Sequence, residues 1–140
     1  MAQSPFEIKK EICDVGKRIY DHGFVAANDG NISVKVGPNE FYCTPTGVSK
    51  GYMTPDMIIR IDGQGNKIDG KLNPSSEIKM HMRVYQERPD AAAAAACTQD
   101  ESKGKHNERK SFHKILLYNR SDASLYFHKT QMSRIMFKKY

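Results

Sequence analysis

No stretch of this 140-residue chain approaches the roughly 18 consecutive apolar residues of a membrane-spanning helix, so that class of segment is excluded. The start, MAQSPFEIKKE, has no apolar segment behind a basic one. No secretory leader is read there, and the expected compartment is the cytoplasm. Cysteine is scarce: Cys13, Cys43 and Cys97 are an odd number at wide spacings, with no CxxC or Cys/His pattern. That excludes a disulfide framework and a structural zinc knuckle, and leaves reduced thiols. No internal repeat is present. What the chain does have is enough length for one domain with a core.

The net charge of +6 would suit a nucleic-acid binder, but its distribution argues against one. Residues 1–90 hold twelve basic and twelve acidic side chains, and residues 91–140 hold ten and four. The whole excess belongs to the last fifty residues, where Lys103, Lys105, Arg109 and Lys110 cluster. A basic run of this kind is more often a solvated surface, and a nucleic-acid partner is ranked low.

Periodicity organises the first ninety residues. Residues 5–22 read as an amphipathic helix, with Ser4 as N-cap, Pro5 at the first position and Gly23 as the stop. The turn Asn28-Asp29-Gly30-Asn31 leads into an alternating strand at 32–36, and residues 40–44 return. Thr54-Pro55-Asp56 starts a short helical turn, 57–62 is an apolar strand, and a Gly-rich turn opens a hairpin partner at 67–68. A second helix opens at Pro74-Ser75-Ser76-Glu77 and ends at Arg88-Pro89. Its His81 is expected to pack or to hydrogen-bond. Residues 91–96 are six alanines, helical by local propensity alone, and residues 112–118 suit a short helix or strand.

Three loops carry candidate chemistry. Gly30 and Asn31 sit in a turn that can present N–H groups and an amide to an anion. The segment TPTGVSKG offers Thr46, Gly47 and one cation, Lys50, to a phosphate. Ser75 and Ser76 stand at a helix start, where the first N–H groups lack intrahelical partners. Each has a plain alternative: a strand-entry turn, a Pro/Gly loop with a solvated lysine, and ordinary N-capping. Glu77 is singled out beside them, because a carboxylate next to a metal-bound carbonyl can act as a general base on an adjacent carbon-bound proton.

In order and spacing, GNISV, TPTGVSKGYMTPDMI, an apolar strand with a DGxGN turn, and KLNPSSEIKMHMRVYQERPDA resemble the class II aldolase/adducin head family over about residues 6–91. The resemblance implies a three-layer α/β/α sandwich around a largely antiparallel sheet, incomplete in this chain. It implies a homotetramer acting on a phosphorylated sugar, with no membrane partner. The reaction implied is reversible aldol cleavage of a ketose 1-phosphate such as L-fuculose 1-phosphate, giving dihydroxyacetone phosphate and an aldehyde. It places Gly30, Asn31, Thr46, Gly47, Ser75 and Ser76 at the phosphate and Glu77 at the acid/base. It also implies Zn2+ on three histidines. By count the first two fall at positions 96 and 98, which are Ala96 and Thr98 here, and no metal ligand is assigned. His106, His113 and His128 follow at spacings that match no metal motif.

The expected division is therefore 1–96, the N-terminal part of such a domain, and 97–140, a divergent basic tail, frameshifted or disordered. Without strands after residue 91 the hairpins would expose an edge, and stability would be marginal. Three readings follow: an impaired aldolase-family enzyme, a non-catalytic binding module like the adducin head, and a pentulose-phosphate epimerase or dehydratase relative. The coding DNA tests the junction. A frameshift predicts that another reading frame past codon 96 encodes a His-x-His segment; its absence from every frame makes the tail authentic or a fusion.

Overall fold

The computed structural model describes residues 3–100, 111–119 and 125–128, and beyond residue 96 its backbone alone. Helix α1 spans Pro5–Asp21 and α2 spans Ile78–Glu87. Strands β1 (Asn31–Gly37), β2 (Glu40–Cys43), β3 (Ile59–Asp62), β4 (Lys67–Asp69), β5 (Ala91–Asp100), β6 (Ser111–Asn119) and β7 (Leu125–His128) form one sheet. Its order is β4-β3-β2-β1-β5-β6-β7, every neighbouring pair antiparallel. One-turn helices at Lys50–Tyr52 and Pro55–Met57 lie between β2 and β3.

Helix α1 begins as its sequence dictates. Ser4 Oγ accepts from the Glu7 N–H while the Glu7 carboxylate accepts from the Ser4 N–H, closing a capping box. Alternation along the strands then sends successive side chains to opposite faces. Phe41, Cys43, Ile59, Ile61, Ala94 and Ala96 pack with Ile78, Met82 and Tyr85 of α2. Ile32, Tyr42 and Ala95 pack instead with Ile8 and Ile12 of α1. The helices therefore cover opposite faces, which makes the three layers expected.

The six alanines are a strand, contrary to their helical propensity. Ala93 to Ala96 pair with Val34 to Asn31, and β5 buries methyl groups on both faces. Sheet pairing supplies a full ladder on each side of β5, which outweighs a local preference worth only tenths of a kcal/mol per residue. The β1 edge is thereby covered. Position 96/97, where the resemblance thins, falls within β5, and residues 111–119, left open between helix and strand, form β6.

A polar chain crosses the α2 face. Ser33 Oγ lies 2.7 Å from His81 Nδ1 and 2.9 Å from the Tyr85 hydroxyl, and that hydroxyl donates to the Ser33 carbonyl at 3.1 Å. His81 hydrogen-bonds as expected. It is fully buried, and burial pushes its pKa down to about 4. On the other face α1 approaches the loop after β2 so closely that a Cβ on Gly16 would lie 2.7 Å from the Lys50 carbonyl oxygen.

Two outcomes follow from this packing. Above pH 6.5 His81 is neutral in both states; below it the unfolded chain takes up a proton that the folded chain refuses. Stability should fall by about 2 kcal/mol between pH 6.5 and 5, read by urea unfolding, and the slope should flatten in His81→Gln. Gly16→Ala, which gains helix propensity, should nonetheless cost about 1–3 kcal/mol because main chain must move, seen as a lowered Tm.

Candidate functional site

Three loops meet at one end of β1. Thr44, after β2, is locked to β1: the Ile32 N–H donates to Thr44 Oγ1 at 3.1 Å and the Thr44 N–H donates to the Ile32 carbonyl at 3.0 Å. The following residues reach the third loop, where the Thr46 N–H donates to the Asn73 carbonyl at 2.9 Å and Pro45 bridges to Pro74. The third loop closes back on the first, because Asn31 Nδ2 donates to the Glu77 carboxylate. Loop 44–47 is thus joined to β1 at Ile32, next to turn 28–31, and to segment 73–77, which itself joins the turn at Asn31; all seven residues singled out from the sequence lie on these three segments.

Their exposure differs. Asn31 is buried, Gly30, Ser75 and Glu77 are half-buried, and Thr46, Gly47 and Ser76 are exposed. Gly30 has φ +81°, and a Cβ there would lie 2.7 Å from Val25 Cγ1 and 3.2 Å from the Ala96 carbonyl, so the turn is both left-handed and tightly seated. The Glu77 N–H donates to Ser75 Oγ at 3.3 Å, so Ser75 shapes the entry to α2. Asn31 Oδ1 is buried without a partner among the described residues, an acceptor free for a donor such as a sugar hydroxyl.

The sequence underrated Lys50. Its side chain is 1% exposed, not solvated. Its ammonium donates to the Val48 carbonyl at 2.8 Å and to the Asn28 carbonyl at 3.4 Å. Burial pushes its pKa down, while the Asp29 and Glu77 carboxylates act in the opposite sense. Lys50 opens the one-turn helix Lys50–Tyr52, an element absent from the sequence reading.

Zinc fits poorly. Ala96 stands opposite Asn31 in the ladder, at the Glu77 end of the α2 face, and its methyl group carries no donor atom. Thr98 is a weak ligand by chemistry. Among the described residues no three His, Cys, Asp or Glu side chains converge on one point. His106 and the cluster Lys103, Lys105, Arg109 and Lys110 lie outside the described residues. No described helix is long and apolar enough to cross a membrane.

Known proteins share this fold. The profile of the Class II Aldolase and Adducin N-terminal domain matches residues 10–99. The chain is 39% identical over 85 residues to an L-fuculose phosphate aldolase of Methanocaldococcus jannaschii, covering 61% of this chain and 45% of that protein. It is 33% identical over 94 residues to a methylthioribulose-1-phosphate dehydratase of Methylococcus capsulatus, covering 66% and 46%. A solved L-fuculose 1-phosphate aldolase superposes with TM-score 0.61 at 31% identity, covering 69% of this chain and 45% of that one. The chain thus spans less than half the length of these relatives. With the profile and the sandwich in agreement, the chain belongs to the class II aldolase and adducin N-terminal domain family.

Proposed function

We propose that this chain carries the phosphate-holding and acid/base part of a sugar-phosphate lyase site. It binds a ketose 1-phosphate such as L-fuculose 1-phosphate, or the dihydroxyacetone phosphate that aldol cleavage releases. Cleavage itself is impaired, because the positions that would supply the first metal donors are Ala96 and Thr98. The observation that carries the reading is the meeting of the three loops at the start of β1, through Ile32 with Thr44, Pro45 with Pro74 and Asn31 with Glu77.

The roles follow from the chemistry of each group. The N–H groups of Gly30 and Gly47 and the hydroxyls of Thr46, Ser75 and Ser76 are donors suited to phosphate oxygens. The start of α2 favours negative charge beside Ser75 and Ser76. Glu77 is the group that would take or return a proton on the carbon skeleton. In the free chain its carboxylate accepts from Asn31, which holds it at the junction of the loops.

A non-catalytic binding module is the second reading, and Ala96 is the residue that favours it. The family's aldolase, epimerase and dehydratase relatives share phosphate recognition, so the first step common to all of them is binding. The proposal extends to a homo-oligomer in the cytoplasm and to residues 97–140 as a divergent segment.

Calorimetric titration with dihydroxyacetone phosphate tests the reading. Binding is expected, unchanged by a chelator, and Ser75→Ala with Ser76→Ala should weaken it about tenfold or more through lost charge-assisted hydrogen bonds. Glu77→Gln should leave affinity within a few-fold and remove any slow cleavage of L-fuculose 1-phosphate. Absence of binding by the unaltered chain would end the proposal; zinc-dependent turnover would overturn the impairment.

A further inference from the structure

Lys50 is a buried cation whose role the loop chemistry leaves open. Its side chain is 1% exposed, yet among the described residues no carboxylate lies within ion-pair distance of its ammonium. A buried ammonium is costly unless its donors and its charge are matched. Two donors are matched, by the carbonyls of Val48 and Asn28. The charge is matched only at longer range.

The two carbonyls say where this charge sits. Val48 follows the loop of Thr46 and Gly47, and Asn28 opens the turn of Gly30 and Asn31. The ammonium therefore ties the start of turn 28–31 to the residue just after loop 44–47. By holding the Asn28 carbonyl it anchors the start of the turn that carries Gly30 and Asn31. The backbone around it is held as tightly: α1 presses on the Lys50 carbonyl at Gly16, where a Cβ would lie 2.7 Å away. Asp29 and Glu77 are the charged groups whose fields reach it.

We propose that Lys50 is a positioning residue for phosphate, the fixed positive charge beneath the cradle that sets turn 28–31 and draws a phosphate dianion to it. The inference rests on the phosphate reading above. It explains why a lysine is buried where an uncharged side chain would fill the same space at lower cost. The bound anion supplies the missing half of the charge pair, and the ammonium need not touch it.

The test compares the unaltered chain with Lys50→Met and Lys50→Gln, titrated with dihydroxyacetone phosphate and with inorganic phosphate. Methionine keeps the apolar stem; glutamine keeps a donor for the carbonyls without the charge. Both variants should lose at least about tenfold in affinity for each ligand while Tm stays within a few degrees. Raising ionic strength should weaken the unaltered chain more than either variant. Equal affinity in a folded variant overturns the proposal. If neither variant folds, the 13Cε resonance of Lys50 in the unaltered chain decides. Movement on saturation with inorganic phosphate upholds the charge role, and a fixed resonance overturns it. No binding by the unaltered chain sinks the phosphate reading and this inference together, whereas binding that survives loss of the ammonium sinks this inference alone.

Discussion

Strand β1 reaches α2 through polar side chains, and this is the constraint on which the geometry of the loops depends. Its odd positions, Asn31 and Ser33, face α2, and Ile32 faces α1. Polar groups in such a place must find partners, and each partner found fixes a position on the helix. Ser33 takes His81 and Tyr85, four residues apart on one helical face, so the rotation of α2 about its axis is set. Once that rotation is set, Glu77 at the head of the helix meets Asn31. An apolar interface alone would tolerate sliding; hydrogen bonds to named atoms do not.

In the function proposed above, recognition and bond-making are separable along this chain. The three loops that meet at β1 all precede residue 91, and the positions expected to bring metal donors follow it. The strand that carries those positions still forms, because main-chain pairing with β1 asks little of side chains. Alanine at 94 and 96 lets α2 lie close to the sheet, and Ala95 does the same for α1. A scaffold can thus keep its anion-facing end while the adjoining strand loses the atoms that would do the chemistry. Membership in the family settles the fold.

Much of the architecture was legible beforehand. Ser4, Pro5 and the spacing of Ile8 and Ile12 predicted α1, and the alternation at 32–36 predicted β1, because both signals are local. The alanine run was misread by propensity, since nothing within residues 91–96 records that β1 and β6 will lie on either side. The loops were legible as chemistry but not as neighbours. Thr46 to Asn73 and Asn31 to Glu77 are contacts across long stretches of chain, and only the family resemblance anticipated that they would meet. Lys50 was hidden for another reason: a lysine in a Pro/Gly loop is usually solvated, and the burial of its side chain has no sequence signature.

The thiols carry a last consequence. Cys43 lies wholly inside the α2 face of β2, and burial pushes its pKa to about 12. Only the thiolate attacks disulfides and alkylating reagents, so at neutral pH the folded chain offers almost no nucleophile at that sulfur. The sheet therefore acts as a shutter over its own chemistry. Modification at Cys43 requires the packing between β2 and its covering helix to open first.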